Sequence, residues 1–417
     1  TEFQNAGLKQ IGYFETYGQS YCLVAELGAW DQTNLTPVLH HHWNWSDYGG
    51  GAIRWLGAQN FFDDEEFARP FTRTHSRYGG PAMTYPDGSA ATGYYDGNFT
   101  DPRNSRVYDA SSSKNILGEL YIDTYNFPAG NVTDGLLYVP QKDDYAGLLM
   151  FKKDSACPQW NNYTYASTLQ AVDAGIDGMW TDNYGPWDSL SNKPVEAAFG
   201  DWSVARFRDH LTNSFSSAEL LEMGVADASS FDVREHLKSE ATGLGWDGSD
   251  LNSTVWNNSS WLEDPLWRAY LIHKRQVGTE ALSNYYATVK SAALAGGNSE
   301  FLVTGNDIPG FSLGWCRGDL DMVSTEMSLG WSLSGGTSGF KEPPVGRYAP
   351  FYKLAREHAK SRFVNVWLYN DHYVDALEHP KLYTALYYEM LANHTFPKFD
   401  PDVTRVVGDA NYNAAFF

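Results

Sequence analysis

Short apolar segments that end in polar residues alternate with helical patterns along this chain, and this alternation constrains the fold more than any other feature. Such segments predict strands at residues 11–15, 36–40, 147–151, 176–182, 300–304, 321–325 and 363–368. Helical periodicity is seen at residues 165–174, 266–295 and 351–360. Strands that alternate with helices predict a parallel sheet whose functional residues lie at the carboxyl ends of the strands.

The length of 417 residues favours an α/β fold of the (β/α)8 TIM-like barrel type, with long loop insertions at its C-terminal face, over an open sheet. No Gly-rich phosphate loop is present, which argues against a dinucleotide-binding fold. We expect a single catalytic domain over residues 1–417, with a turn-rich insertion at about 49–138 and a lid-like insertion at about 184–264. In the lid-like insertion, Gly, Asn, Ser and Asp surround three tryptophans that predict a sugar-binding wall: Trp246, Trp256 and Trp261.

The charge and the aromatic content narrow the range of partners. The chain has 51 acidic and 30 basic side chains and a formal charge of −21, which excludes a nucleic-acid-binding protein because phosphate binding needs a basic face. No apolar run approaches the ~20 residues of a membrane span, and nothing implies a protein partner. Aromatic residues make up 15% of the chain, with 15 Trp and 27 Tyr. This surplus predicts a polysaccharide or oligosaccharide partner, whose sugar faces stack on rings; a stiff aromatic core is the alternative.

The cysteines and the amino-terminal residues give less information about the cellular compartment. Cys22, Cys157 and Cys316 have no CxxC spacing, which argues against a metal-binding or thioredoxin-type motif. One disulfide and one free thiol could form, and the spacing does not say which pair would join. No signal peptide is visible at the start of the chain, and several Asn-x-Ser/Thr sequons occur. We expect an exported protein, either secreted or periplasmic.

Asp182 is the sharpest candidate for a catalytic residue. It ends the predicted strand 176–182, and alternation along that strand puts Trp180 on the same side. A carboxylate at the carboxyl end of a barrel strand is typical of a catalytic group. The alternative is that Asp182 caps the next helix or pairs with an arginine. The residues that follow would add polar and stacking contacts to a substrate: Asn183, Tyr184 and Trp187.

A glycosidase would need a second carboxyl group, about 5–5.5 Å from the first in retaining enzymes and about 6.5–9.5 Å in inverting ones. Glu326 lies at the end of a later predicted strand, a position analogous to that of Asp182. Glu240 and Glu263 lie in the long stretch between Asp182 and the helix predicted at 266–295. Strand position favours Glu326, and the others stay open.

Further polar and aromatic residues near strand ends predict substrate contacts. His40 and His42 alternate with Trp43 and Trp45 after an early strand, and hydrogen bonds to sugar hydroxyls fit them better than a metal ion, for which no matching ligand set is present. A histidine here could also serve as the acid/base. We therefore expect no metal site and no cofactor. Other strand ends carry four more candidates: Asn306, Asp307, Trp367 and Asn370.

The stretch from Asp177 to Asp182, Asp-Gly-Met-Trp-Thr-Asp, resembles the nucleophile strand of α-L-fucosidases, and the histidine cluster resembles their paired-histidine fucose site. Thr181 departs from the family's usual Phe, and Asn183 from its usual Gly. The Trp-rich insertion and the segment 199–207 are more similar to the endo-1,3-fucanases of glycoside hydrolase family 168, which are retaining barrel enzymes. This resemblance, mainly over residues 151–275, implies that Asp182 is the nucleophile and Glu240 the acid/base.

Fucans are sulfated, and an acidic protein would need a cluster of cationic side chains to bind them. Six arginines and a histidine in the early turn-rich segment could supply these: Arg54, Arg69, Arg73, Arg77, Arg103, Arg106 and His75. The predicted function is that of a retaining, endo-acting glycoside hydrolase that cleaves a marine, sulfated polysaccharide. The most specific form of this prediction is an endo-1,3-fucanase. The alternatives are a non-catalytic carbohydrate-binding protein and a metal-dependent polysaccharide deacetylase.

Overall fold

A computed structural model of the chain describes residues 9–15, 30–31, 36–37, 58–64, 72–95, 104–125, 148–182, 195, 197–251, 253–257, 261, 263–306, 320–327, 349–358, 363–368 and 388–398. The chain divides into two compact units. Unit 1 comprises Thr1–Phe14, Ala171–Tyr184 and Tyr286–Phe417, and unit 2 comprises Glu15–Gln170 and Gly185–Tyr285.

The elements are numbered in chain order. The strands are β1 (Ile11–Glu15), β2 (Trp30–Asp31), β3 (Thr36–Pro37), β4 (Ile122–Tyr125), β5 (Leu148–Phe151), β6 (Gly178–Asp182), β7 (Leu302–Asn306), β8 (Met322–Met327), β9 (Phe363–Leu368) and β10 (Thr395–Lys398). The helices are α1 (Ala58–Asp63), α2 (Arg106–Ser111), α3 (Pro158–Asp173), α4 (Asp201–Ser214), α5 (Ser217–Glu222), α6 (Val233–Gly243), α7 (Pro265–Ala295) and α8 (Ala349–His358), with a 3-10 turn at Thr254–Asn257.

Unit 1 is built on a six-stranded sheet in the order β1-β6-β7-β8-β9-β10. The pairs from β6 through β10 are parallel, which confirms the predicted α/β class with a parallel sheet. Neighbouring strands follow one another in chain order, as they do in a barrel, but no pairing between β10 and β1 is seen among the described strands. The eight-stranded barrel therefore stays a prediction. None of the helices in the ranges given above is long and apolar enough to cross a membrane.

Both faces of this sheet are covered, as is usual for parallel strands. One face is apolar, and its residues Met179, Val303, Val323 and Val364 are fully buried. Lys290 of α7 is bonded to the carboxylate of Asp321, just before β8. The opposite face carries buried side chains that are mostly polar: Trp180, Thr304 and Ser324.

The helix α7 links unit 2 to unit 1, and its sequence defines both of its ends. The side chain of Asp264 accepts a hydrogen bond from the backbone N–H of Trp267 at 2.8 Å, and Pro265 occupies the first turn, where no N–H is needed. After Ala295, Gly297 adopts a φ of +90°, the left-handed conformation that ends many helices. These signals place the helix within one residue of the predicted range 266–295.

Two predicted strands are absent from the main sheet. β5 corresponds to the segment expected at 147–151, but it pairs antiparallel with β4 in a separate two-stranded sheet of unit 2. The segment expected at 36–40 is represented by β3, which covers two residues and pairs antiparallel with β2. The described residues of both segments therefore form antiparallel pairs outside the parallel sheet, and residues 38–40 lie outside the described residues.

The described part of unit 2 includes two apolar cores, and one of them holds the tryptophans predicted to form a sugar-binding wall. Trp246, Trp256 and Trp261 are buried, which contradicts that prediction. Trp256 contacts Trp246 edge-on at 5.0 Å between ring centroids and stacks on Trp261 at 5.5 Å. Trp267 and Tyr270 of α7 continue the series. The aromatic surplus in this segment serves packing of the insertion.

The start of α4 depends on a buried carboxylate from a distant part of the chain. Asp154 accepts hydrogen bonds from the backbone N–H of Ser203 at 2.9 Å, from the Ser203 hydroxyl at 2.6 Å and from the N–H of Ala156 at 3.0 Å. Burial nevertheless raises the pKa of Asp154. A Cβ on Gly200 would lie 2.2 Å from the Asp154 carboxylate, so this close approach requires glycine.

Candidate functional site at the carboxyl edge of the sheet

Four of the predicted site residues lie at the carboxyl edge of the unit 1 sheet. β6 ends at Asp182 and β7 at Asn306, and these strands are parallel and in register. Asn306 pairs with Ser324 of β8, two residues before Glu326. Glu326 in turn pairs with Trp367 of β9. Because parallel strands present their carboxyl ends at one edge, the backbone brings all four positions to the same edge.

The spacing of these positions follows from the sheet. β7 separates β6 from β8, and adjacent strands lie about 4.7–4.9 Å apart, so the Cα positions of β6 and β8 are about 9–10 Å apart across the sheet. Residues two apart on a strand occupy the same face, so Glu326 is on the face of Ser324 and of its partner Asn306. Asp182 follows Thr181, the partner of Gly305, so it is level with Asn306 and Ser324, and Glu326 lies two residues, about 6.6 Å, further along β8.

Hydroxyl groups form hydrogen bonds at the residue just before the end of β6. Thr181, which precedes Asp182 and is 0% exposed, forms a 2.7 Å hydrogen bond with the hydroxyl of Tyr286 on α7. The Thr181 hydroxyl also donates to the backbone carbonyl of Thr304 in β7 at 3.4 Å. Sequence reasoning missed Tyr286, since helical periodicity singled out its neighbour Tyr285 as the buried position. Only the tertiary contact between helix and strand identifies it.

Three other predicted residues do not lie at this edge. Trp180 is buried in β6, two residues before Asp182. Glu240 lies on the solvent-exposed side of α6 in unit 2, and Glu263 is also exposed. The remaining predicted contacts fall outside the described residues: His40, His42, Trp43, Trp45, Asn183, Tyr184, Trp187, Asp307 and Asn370.

The described arginines of the early segment have specific neighbours. Arg73 forms an ion pair with Asp64 at 2.9 Å. Arg77 lies over the ring of Tyr78 and bonds its hydroxyl, and Arg106 lies 5.0 Å from the ring centroid of Tyr95. His75 bonds the hydroxyl of Thr72 at 2.7 Å. The other three arginines lie outside the described residues: Arg54, Arg69 and Arg103.

Two cations and three carboxylates of unit 2 form one network of ion pairs. The buried ammonium group of Lys114 lies 3.0 Å from Asp109 and 2.7 Å from Asp201. Burial opposes its charge, but these two carboxylates outweigh that effect and raise the pKa of Lys114. Asp201 also pairs with Arg234 at 3.0 Å, and Arg234 pairs with Asp232 at 2.8 Å. This arrangement stabilises the packing of α2, α4 and α6, and each of its two cations is paired with two carboxylates.

Within the ranges that the structure describes, no three His, Cys, Asp or Glu side chains come together in a way that would hold a metal ion. Cys157 is a buried free thiol whose pKa is raised to about 12 by burial. Its sulfur lies 3.8 Å from that of Met83, in an apolar core. A buried neutral thiol of this kind is chemically inert. Cys22 and Cys316 lie outside the described residues.

Comparison with known proteins adds little to this geometry. No protein-family model matches the chain, and no curated protein sequence matches it. One solved structure with partial similarity is that of an agarase, AgWH50C, at 12% sequence identity and a TM-score of 0.30. The match covers 60% of this chain and 35% of the agarase chain, about a third of its length. A TM-score this low does not establish a shared fold, so the interpretation of the site rests on its own residues.

Proposed function

We propose that this chain is a retaining, endo-acting glycoside hydrolase with its active site at the carboxyl edge of the unit 1 sheet. One observation carries the proposal: β6 ends at Asp182, and Glu326 lies at the same edge of the same parallel sheet with Asn306 on the strand between. Two acidic residues held on rigid strands are what hydrolysis of a glycosidic bond requires.

In this mechanism Asp182 attacks the anomeric carbon while the acid protonates the oxygen of the leaving sugar. The glycosyl–Asp182 ester that forms is then hydrolysed by a water molecule, from which the same group, now a carboxylate, takes a proton. Two strand spacings and an offset of two residues along β8 put the Cα atoms of Asp182 and Glu326 about 12 Å apart, so the two carboxyl groups reach the retaining distance of about 5–5.5 Å when both side chains extend toward each other.

Glu326 is the preferred acid/base. A general acid at neutral pH needs a raised pKa, which burial or a neighbouring carboxylate supplies. Glu326 shares a sheet edge with Asp182, whereas Glu240 lies on an exposed helical surface. Glu240 is retained as the second candidate because the resemblance to the fucanases of family 168 implies it.

The substrate we propose is a sulfated fucan with 1,3-linkages, and the protein is proposed to be exported to reach it. The support is the motif from Asp177 to Asp182 and the arginine-rich early segment, since guanidinium groups bind sulfate through paired donors. The predicted histidine and tryptophan contacts would complete the subsites on either side of the cleaved bond.

Incubation of the protein with sulfated fucan, carrageenan, agar and uncharged glycans tests the proposal, with product size and anomeric configuration as readouts. A retaining endo-hydrolase gives a rapid fall in chain length and products with the substrate's configuration. Products of inverted configuration would contradict the mechanism. Binding without cleavage would favour a carbohydrate-binding protein. Release of acetate that a chelator abolishes would favour a metal-dependent deacetylase.

The catalytic assignment predicts that Asp182→Asn and Glu326→Gln each lower kcat by about 10³-fold, the range for loss of a catalytic carboxyl group. Azide should restore turnover in both, giving a glycosyl azide of inverted configuration with Asp182→Asn and of retained configuration with Glu326→Gln. Glu300→Gln is the matched control. Glu300 precedes β7, has a side chain that is 74% exposed and pairs with Lys9 at 2.9 Å, so its loss should leave kcat unchanged. If Glu240→Gln showed the loss and azide rescue instead of Glu326→Gln, the acid/base would be Glu240.

A further inference from the structure

Two adjacent tyrosines of α7 each bond a buried threonine hydroxyl, but the two threonines have different positions. Tyr286 bonds Thr181 of β6 at 2.7 Å, within unit 1. Tyr285 bonds Thr168 of α3 at 2.6 Å, within unit 2. All four side chains are at most 2% exposed. The pairs are therefore chemically matched, and only the first of them adjoins Asp182.

The bond from Tyr286 belongs to a short chain of hydrogen bonds. A hydroxyl group has one proton, and Thr181 can donate its proton to the carbonyl of Thr304, 3.4 Å away in β7. The Tyr286 hydroxyl is then the donor in its bond with Thr181. The chain joins α7, β6 and β7 at the last residue before Asp182, and two residues before Asn306.

We infer that Tyr286 is a positioning residue for the reaction proposed above, and that it acts through Thr181 on the backbone of Asp182; this inference rests on the proposed function. A nucleophile must be held within about 0.5 Å of its productive position. The hydroxyl chain fixes the residue immediately before the end of the strand, on the face opposite to that of Asp182. It thereby limits the movement of the end of β6 without occupying the substrate's side of the sheet.

The packing of α7 explains why a threonine suits position 181. The site faces a helix that presents a tyrosine hydroxyl, and a buried hydroxyl without a partner would be costly. Thr181 satisfies Tyr286 and bonds the neighbouring strand with the same atom. A phenylalanine there could do neither.

Tyr286→Phe and Tyr285→Phe form a matched test, because each removes one buried hydroxyl bonded to a threonine. We expect both to lower Tm by about 2–4 °C, as the loss of one such hydrogen bond does in a domain of this size. Only Tyr286→Phe should lower kcat, by about tenfold, as a small misplacement of a reacting group does. KM should stay within about twofold in both variants, because binding is not the step affected.

Variants of Thr181 and hydrogen exchange complete the test. Thr181→Val should reproduce the loss in kcat, whereas Thr181→Ser, which keeps the hydroxyl, should have the kcat of the wild type. The backbone N–H of Asp182 should exchange faster in Tyr286→Phe than in Tyr285→Phe. Equal kcat values for the two tyrosine variants, or unchanged hydrogen exchange at Asp182, would overturn this inference but would not contradict the proposed function. A wild-type protein that cleaves none of the glycans would overturn the proposed function, and the inference with it.

Discussion

His273 of α7 is a buried histidine whose titration links the stability of unit 2 to pH. It is 7% exposed and stacks on His210 of α4 at 4.6 Å between ring centroids. Burial, together with the charges of His210 and Arg206, lowers the pKa of His273 to about 3. Burial lowers the pKa of His210 as well. Between the ordinary histidine pKa of about 6.5 and the folded value, the unfolded chain binds a proton that the folded chain does not. The stability is therefore complete above the unfolded pKa and is lost as the pH falls.

We expect His273→Phe to flatten the acid side of the stability profile. Well below pH 6, wild-type protein should lose about 1.4 kcal/mol of unfolding free energy per pH unit through this residue, and the variant should lack that component. The Nε2 atom of His273 has no hydrogen-bond partner among the described residues, so phenylalanine sacrifices no bond there. Urea unfolding between pH 8 and pH 4 measures both profiles. A difference in packing would shift the unfolding free energy of the variant by the same amount at every pH. Parallel profiles for the two proteins would therefore contradict the role of His273 in the acid dependence.

At the scale of single residues, sequence predicts positions better than it predicts partners. Asp182 could be assigned to the end of a strand because an apolar run stops at it, and the strand does end there. The contact of Thr181 with Tyr286 joins residues 105 positions apart and depends on how α7 crosses the sheet. No local pattern encodes such a pairing. The stacking of His273 on His210 was beyond reach for the same reason.

At the scale of elements, the tryptophan core of unit 2 allows a comparison of two buried indoles. Trp261 donates from Nε1 to the carbonyl of Val255 at 2.8 Å. The Nε1 of Trp256 has no partner within the described part of the chain. Trp261→Phe therefore removes a hydrogen bond as well as ring area, whereas Trp256→Phe removes ring area alone. We expect Trp261→Phe to cost about 1 kcal/mol more of unfolding free energy, measured by urea denaturation. An equal or smaller cost would show that packing around the two rings decides the difference.

Element prediction succeeded where an element's own residues determine it. β1 and β9 have the predicted bounds because each is rich in the apolar, β-branched or aromatic residues that favour strands. β5 has the same local character but pairs with β4, whose sequence Ile-Asp-Thr-Tyr is not an apolar run. The tryptophans were misassigned because polar neighbours in sequence suggested exposure, whereas in space they belong to the same buried apolar core as Leu237, Phe207 and Tyr270.

At the scale of the whole molecule, the charge of −21 opposes the sulfated substrate proposed for it. The described arginines offset this only locally, and Arg73 is already paired with Asp64. Long-range repulsion and short-range attraction respond differently to salt. Repulsion from the net charge acts over the Debye length, which shrinks from about 30 Å at 10 mM salt to about 8 Å at 150 mM. Contacts between a guanidinium and a sulfate act within a few ångströms and weaken gradually as salt rises.

We therefore expect KM for a sulfated polysaccharide to fall as salt rises from 10 to 150 mM, because screening removes the repulsion before it weakens direct contacts. A desulfated preparation of the same polysaccharide is the control, and its KM should not change over this range. If KM for the sulfated substrate instead increased as salt was raised from 10 mM, attraction to clustered cationic side chains, and not repulsion by the net charge, would govern substrate binding. Equal behaviour of the two preparations would mean that sulfate is not recognised, and the substrate would then be sought among uncharged glycans.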